Sequence, residues 1–284
     1  MPAPLGRHLA YTGVFLYGHP PPTLGAPMLL RRPLLRLLCV LSLFCLTTAA
    51  YAQPGPPQGW LKEFGLGAIV NPERPGGDRY QFRPIPIFDF RYLDDRGVRH
   101  FANVPQGLGT YLYRGQSKIG VALAPGFGTR DDAPGLEDIG IATEARLFWE
   151  RDQGPWRLSA TAAADLGTGH DGAYLDLGLT RRGRLGPRGF WSVGPSLRLV
   201  DAAYARAQYS IRPEEAAPSG LPAFDASSGL EQVAMSAVLR KPLAGKWSWT
   251  AVARVAYLTG DRADSPLVDT PVQGFLLLGV TRPF

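Results

Sequence analysis

The stretch KWSWTAVARVAY, residues 246–257, decides the fold because apolar and polar side chains alternate along it. Its odd positions are all apolar, whereas most of its even positions are polar and include Arg254. A period of two residues is typical of a β-strand with one apolar and one polar face. The segments 139–150 and 156–167 show the same alternation. The sequence therefore predicts half-buried antiparallel strands.

The whole chain divides into twelve such segments, and its 284 residues allow one large domain. We predict strands at 62–70, 83–93, 97–103, 106–113, 117–125, 138–150, 155–167, 172–183, 189–209, 229–241, 245–258 and 273–284. All the long links between them are odd-numbered, and the even-numbered links are short. Long extracellular loops and short periplasmic turns are typical of bacterial outer-membrane barrels.

A soluble sandwich or barrel, with its apolar face inside, also fits alternating strands. Three observations favour an all-β outer-membrane antiparallel barrel with apolar residues against lipid. The predicted strands are long, the polar face carries charges, and aromatic residues lie near strand ends. The predicted membrane-interface aromatics are Trp156, Trp247, Trp249 and Tyr257.

The N-terminal region has the three parts of a secretory signal. Residues 31–52 begin with arginines, continue with an apolar run and end in small residues. We predict cleavage after Ala52 and translation starting at Met28; a retained anchor helix is the alternative. The predicted organisation is an upstream segment and signal peptide at 1–52, a flexible periplasmic leader at 53–61, and the barrel at 62–284.

Charge and cysteine content restrict the partners. The formal net charge of +6 falls to about +2 without residues 1–52. The basic character thus belongs mainly to the removed segment, and we expect no nucleic-acid partner. Both cysteines, Cys39 and Cys45, lie within the signal. Disulfides and cysteine metal sites are therefore excluded from the mature chain, and we expect no cofactor and no metal.

Four segments resemble the MipA/OmpV family, the MltA-interacting outer-membrane proteins. They are GLGAIVNPERPGGDRYQFRPIPIFDFRY (65–92), GPWRLSATAAADLGTGHDGAYLDLG (154–178), SVGPSLRLVDAAYARAQYSIRPEEAAPSGLPAFDASSGL (192–230) and LTGDRADSPLV (258–268). The resemblance covers nearly all of the mature chain. It implies a monomeric barrel in the outer membrane of a Gram-negative bacterium, in contact with outer-membrane lipid.

The resemblance also implies a role. Some family members join a lytic transglycosylase to a peptidoglycan synthase, and others are adhesins or are linked to antibiotic response. We therefore expect a non-enzymatic scaffold for peptidoglycan-remodelling enzymes. The alternative is a small pore or ligand-binding barrel for small polar solutes or antibiotics. The terminal Phe284 is the expected assembly signal for the barrel-assembly machinery, although Arg282 and Pro283 depart from the family pattern.

Charged residues on the polar faces are candidates for the lumen. Glu144 and Arg146 are two residues apart on one predicted strand and so face the same side. Asp165 and Arg254 belong to the same inward set. Isolated charges in a narrow barrel are costly, so one interpretation is a paired network that fills the interior. The other is a small polar conduit or ligand pocket.

The pair His170-Asp171 in the sequence GTGHDG is the one constellation that invites an enzymatic interpretation. A serine hydrolase needs a histidine base oriented by an acid beside a nucleophile. No motif marks Ser159, Ser192 or Ser196 as an activated nucleophile. We therefore predict no catalytic residues and an extracellular turn, in which Asp171 accepts backbone N–H groups and Gly172 supplies unusual dihedrals.

Two loops remain open to more than one interpretation. Asp131, Asp132, Glu137 and Asp138 lack the regular spacing of a calcium loop, so we predict solvated charges rather than a metal site. The segment 210–228 either folds over the barrel mouth or offers an exposed contact surface.

Overall fold

The computed structural model describes residues 58–126, 135–137, 139–167 and 169–284. They form a closed antiparallel barrel of twelve strands, which confirms the predicted fold class. The strands are β1 (Gly59–Pro72), β2 (Tyr80–Asp94), β3 (Gly97–Asn103), β4 (Gly107–Arg114), β5 (Ser117–Gly126), β6 (Ala142–Gln153), β7 (Trp156–Asp165), β8 (Ala173–Leu185), β9 (Gly189–Val200), β10 (Gly229–Pro242), β11 (Ser248–Leu258) and β12 (Val272–Pro283). The links contain helices α1 (Ala202–Tyr209) and α2 (Pro213–Ser219) and a 3-10 helix (Gly260–Asp264). None of the helices among the described residues is long and apolar enough to cross a membrane.

Pairing between the first and last strands closes the sheet. The register of β1 on β12 runs from Glu63 opposite Pro283 to Val70 opposite Leu276. Every other strand pairs with its neighbours in the sequence. A closed barrel has no free edge, so the strand backbones find their hydrogen-bond partners within the sheet.

The outward face of the barrel is apolar. On β10, Val233 and Met235 are exposed on one face, whereas Ala234 on the opposite face is buried. Leu66 on β1 and Phe82 on β2 are even more exposed. Uncovered leucines and phenylalanines in this number would be costly in water, and hydrocarbon is the solvent that accommodates them.

The two ends of the barrel differ in the length of their links. Short turns at 95–96, 115–116, 154–155, 186–188 and 243–247 define the turn end. The links 73–79, 127–141, 166–172, 201–228 and 259–271 define the loop end, where the link 104–106 is the one short exception. In outer-membrane barrels the short turns are periplasmic and the long loops extracellular.

Tryptophan marks only one end. All six tryptophans of the chain lie at or near the turn end: Trp60, Trp149, Trp156, Trp191, Trp247 and Trp249. Tyr257, the fourth predicted interface aromatic, lies at the loop end of β11. Tryptophan is enriched where a membrane meets water because its ring is amphipathic. The turn end therefore carries the tryptophan girdle of the barrel.

Several predicted strand boundaries differ from the structure by a few residues, and two differences change an assignment. The segment 189–209 is not one long strand, because β9 ends at Val200 and α1 follows. Asp201 caps this helix by accepting the backbone N–H of Tyr204 at 2.8 Å, and the alanine-rich sequence after it favours a helix. At the other end of the barrel, residues 59–61 belong to β1 rather than to the leader, since they pair with β2 in register.

We predict that Met235→Arg lowers the free energy of unfolding by about 2–4 kcal/mol, the cost of a cation near the bilayer midplane. Met235 lies in the middle of β10 on the lipid-facing side. Denaturant unfolding in lipid vesicles, followed by tryptophan fluorescence, measures the effect. The control Met235→Leu should unfold like the wild type. Equal stability of the arginine variant would show that this face does not touch hydrocarbon.

Candidate functional site

Helix α1 lies in the mouth of the barrel at the loop end. Tyr204, Ala205, Gln208 and Tyr209 are buried, and Tyr209 is only 1% exposed. The helix packs in an apolar cluster with the upper ends of four strands and the outer loops, made of Ala163, Tyr174, Val200, Tyr204, Ala205, Tyr209, Ala226 and Leu258. Helix α1 therefore occupies the outer mouth and packs against the wall.

A glycine and a serine hold α1 in place. A Cβ atom on Gly172 would lie 2.2 Å from the backbone nitrogen of Tyr204, so only glycine permits this close approach. From the other side, the hydroxyl of Ser265 donates to the carbonyl oxygen of Tyr209 at 2.6 Å. The helix is thus fixed to the links β7–β8 and β11–β12 as well as to the strands.

Glu231 is the polar anchor beneath the helix. The Tyr209 hydroxyl donates to its carboxylate at 2.6 Å, and the Gln232 side chain donates at 3.2 Å. The Arg198 guanidinium lies 3.8 Å from the same carboxylate. Burial, and then the Glu231 charge, raise the pKa of Tyr209 well above its usual value. The phenol therefore stays protonated and remains a hydrogen-bond donor to Glu231.

Arg198 joins this anchor to the strands. It forms a two-pronged ion pair with Asp176 at 2.7 and 2.8 Å, and its guanidinium lies 4.0 Å from the ring centre of Tyr174. Sequence reasoning did not single out either charge. The signal was present, since strand alternation places Asp176 and Arg198 on inward positions of paired strands.

Glu144 is the centre of a second cluster on the neighbouring wall. Its carboxylate pairs with Arg146 at 2.7 Å and accepts the Tyr174 hydroxyl at 2.8 Å. Arg146 also donates to the carbonyl oxygens of Pro105 and Pro125 at 2.9 and 3.3 Å. The structure thus brings these two predicted lumen charges together, and Arg146 links them to the β3–β4 turn and to β5.

The other two predicted lumen charges have different surroundings. The Asp165 carboxylate accepts the backbone N–H groups of Gly167, Gly169 and Asp171 at 2.8–3.2 Å, so it organises the β7–β8 link. Arg254 occupies an inward position on β11, opposite Ser236 of β10. Within the described residues Arg254 forms no ion pair.

The predicted turn at His170 and Asp171 is organised differently from the expectation. Asp165, not Asp171, accepts the backbone N–H groups, because it ends β7 with its side chain turned into the loop. Asp171 itself has a left-handed φ of 51°, and Gly172 is required for its closeness to α1 rather than for a positive φ. The structure corrects both of these assigned roles.

His170 is buried within the closed mouth. Its Nδ1 accepts the N–H of Gly172 at 3.1 Å, and its Nε2 lies 3.4 Å from the Glu144 carboxylate. The ring also packs edge-on against Tyr204, with centroids 4.7 Å apart. The acid beside the histidine is therefore Glu144, which is 26 residues distant in sequence, and both ring nitrogens are engaged, one by Gly172 and the other by Glu144.

An extracellular cavity of about 750 Å³ lies above α1. Its walls come from the two helices, the His170 link and residues near Glu137, and they carry charges of both signs. Arg212 pairs with Glu137 and, at 3.1 Å, with Glu215. These carboxylates raise the pKa of Arg212 above its usual value. Of the predicted acidic loop residues, Glu137 takes part in this pairing, whereas Asp131, Asp132 and Asp138 lie outside the described residues.

The C-terminus lies at the turn end, beside the first strand. The Phe284 ring packs edge-on against Phe64 at 5.7 Å, and its N–H donates to the carbonyl of Lys62 at 3.0 Å. Phe284 is 78% exposed. Its role as an assembly signal remains a prediction.

A family model described as MltA-interacting protein MipA matches residues 64–284. The chain belongs to this family. Family membership and the apolar outer face agree on one location. This MipA family protein is an outer-membrane barrel.

Other comparisons give distant similarities. Comparison with curated proteins finds no match. Among solved structures, the outer membrane channel DcaP of Acinetobacter baumannii is 10% identical, with a TM-score of 0.33 over 80% of this chain and 96% of that chain. OmpT of Vibrio cholerae is 7% identical, with a TM-score of 0.32 over 81% of this chain and 99% of that chain. A porin refined at 1.8 Å is 11% identical, with a TM-score of 0.30 over 80% of this chain and 100% of that chain.

We predict that Glu231→Ala releases α1 from the mouth. The change removes the acceptor of Tyr209 and a neighbour of Arg198, and breaking such a buried set costs about 3–5 kcal/mol. Trypsin added to the outside of intact cells should then cleave after Arg206, which lies on α1, much faster than in the wild type. Glu231→Gln, which keeps an acceptor oxygen, should protect better than alanine. Equal cleavage in all three proteins would refute the anchoring role.

Proposed function

We propose that this MipA family protein is a non-conducting and non-enzymatic barrel that presents its periplasmic end to a lytic transglycosylase. A peptidoglycan synthase would be held at the same end. The matching family is described as MltA-interacting, and that description supports the choice of partner. The observation that carries the proposal is the contrast between the closed loop end and the exposed turn end.

The closed end argues against transport as the main activity. Helix α1 and its apolar cluster occupy the outer mouth. Below it, the Tyr209 hydroxyl donates to Glu231, and Arg198 donates to the Tyr204 hydroxyl at 3.4 Å, so hydrogen bonds link the helix to β10 and β9. A solute would have to break these contacts to pass.

The turn end offers apolar side chains that no part of the described chain covers. Leu61 on β1 and Phe190 on β9 stand on lumen-facing positions, yet they are 47% and 43% exposed. Just inside them, Arg240 reaches Glu63 at 2.8 Å across two intervening strands. A partner could therefore insert an apolar side chain at the rim without displacing an ion pair.

The turns form a connected rim rather than separate loops. The Arg188 side chain donates to the carbonyl of Gly245 at 3.0 Å, which joins the β8–β9 and β10–β11 turns. The N–H of Arg182 donates to the carbonyl of Pro155 at 2.7 Å, which joins β8 to the β6–β7 turn. A fixed rim loses little entropy when a partner binds, which compensates for the shortness of each turn.

Capture of a purified lytic transglycosylase by the purified barrel tests this proposal. We expect Leu61→Glu/Phe190→Glu to weaken binding at least about tenfold, because the apolar contact is replaced by charge. Arg206→Glu, on the exposed side of α1 at the opposite end, is the matched control and should bind like the wild type. Absence of capture by the folded wild-type barrel, or equal capture by the rim variant, would refute the proposal.

A small pore or binding barrel for polar solutes is the second candidate. Arg254 favours it, because this inward guanidinium has no ion-pair partner among the described residues and could meet an anionic solute. Conductance in planar bilayers separates the two candidates. We expect the wild type to show no channels and the Glu231→Ala variant to show intermittent ones. Steady wild-type channels that Arg254→Gln alters would favour the pore instead.

A further inference from the structure

Three lipid-facing apolar runs end on a cation at the turn end. On β8, Leu177 and Leu179 lead to Arg181; on β10, Met235 and Leu239 lead to Lys241; on β12, Leu278 and Val280 lead to Arg282. Lys62 has the corresponding place on β1, between the exposed Trp60 and Phe64. We call Lys62, Arg181, Lys241 and Arg282 the cationic girdle.

Each member of the cationic girdle has an aromatic neighbour. The guanidinium of Arg181 lies 5.9 Å from the ring centre of Trp156, and that of Arg282 lies 5.9 Å from the ring centre of Trp247. Lys241 is opposite Trp249 in the β10–β11 register. Since tryptophan settles at the level of lipid headgroups, the four cations stand at the same level.

The described part of the chain does not neutralise the cationic girdle. Among the described residues, none of its four members forms an ion pair with a carboxylate. The segments 177–200, 232–260 and 273–284 contain no Asp or Glu at all. Elsewhere on the turn end several cations are paired, as in Arg114 with Asp94 at 2.6 Å and Arg157 with Asp152 at 2.8 Å. The charge is therefore concentrated in the sector from β8 around to β1.

We propose that the cationic girdle is a binding site for anionic phospholipid of the inner leaflet. The lipid phosphate would lie beside the cations while the acyl chains cover the leucines that precede them. A zwitterionic headgroup carries its own ammonium and gains less from this sector, whereas a headgroup with net negative charge supplies the missing counter-ion. The site lies on the outside of the wall, so it is independent of the proposed partner at the rim.

Lipid retention by the full-length processed barrel tests the proposal. The protein in detergent is incubated with equal amounts of phosphatidylglycerol and phosphatidylethanolamine and repurified, and the bound lipid is measured by mass spectrometry. We expect phosphatidylglycerol to be enriched on the order of fivefold in the wild type, and less at high salt. Lys62→Gln/Arg181→Gln/Lys241→Gln/Arg282→Gln should show no enrichment.

The control removes the same charge elsewhere. Arg79→Gln/Arg96→Gln/Arg99→Gln/Arg206→Gln changes four exposed arginines outside the sector and should keep the enrichment. Heat-modifiable migration on gels verifies folding of both variants. If the quadruple variant does not fold, the pairs Arg181→Gln/Lys241→Gln and Lys62→Gln/Arg282→Gln should each lose part of the enrichment.

Three results would overturn the proposal: equal retention of both lipids by the wild type, undiminished enrichment in the girdle variant, or an equal loss in the control. If the girdle variant kept its lipid but no longer captured the transglycosylase, the sector would be a protein contact and the lipid assignment would be wrong. Failure of the rim variants described above would leave the lipid result unaffected.

Discussion

The structure depends on one constraint, which is that no backbone N–H or C=O group can remain unpaired in hydrocarbon. The pairing of β1 with β12 meets this constraint by removing the last free edge. Once the sheet is closed, side chains have two choices, outward to lipid or inward to the lumen, and the period of two residues separates them. Apolar residues such as Leu66 and Met235 could then face outward at no cost.

The interior faces the reverse problem, because charges placed inside a narrow barrel must find partners. Most do so across strands, as Arg198 does with Asp176 and Arg240 with Glu63. At the loop end this pairing serves a second purpose. Glu231 accepts the hydroxyl of a tyrosine of α1 and Glu144 that of a tyrosine of the wall, so the same carboxylates that neutralise arginines also hold the packing of the mouth together.

The two ends of the barrel therefore present different chemistry. The loop end buries its apolar side chains under a helix, whereas the turn end leaves Leu61 and Phe190 uncovered and gathers tryptophans with unpaired cations. A protein that binds partners outside the cell would be expected to carry its uncovered apolar residues on the loops. Here the uncovered groups lie at the turn end, on the side of the periplasm and the inner leaflet. Both proposals follow from this difference between the two ends.

Alternation predicted the strand number and the face on which Glu144 and Arg146 lie, and the strand lengths, the positions of charges and aromatics and the lengths of the links predicted that the apolar face points outward. These features are local, since each depends on side chains two residues apart or on the length of one link. The sequence also contained the signal that was missed at residues 201–209, where Asp201 precedes a helix-forming run.

What only the tertiary structure decided is which distant residues meet. Three contacts require the barrel to be closed. His170 contacts Glu144, Tyr209 donates to Glu231, and Gly172 makes room for α1. The partners come from different strands and loops, and their separation along the chain bears no relation to the distance across the lumen. Periodicity determines the face on which a residue lies, whereas curvature and closure of the sheet determine what stands opposite it.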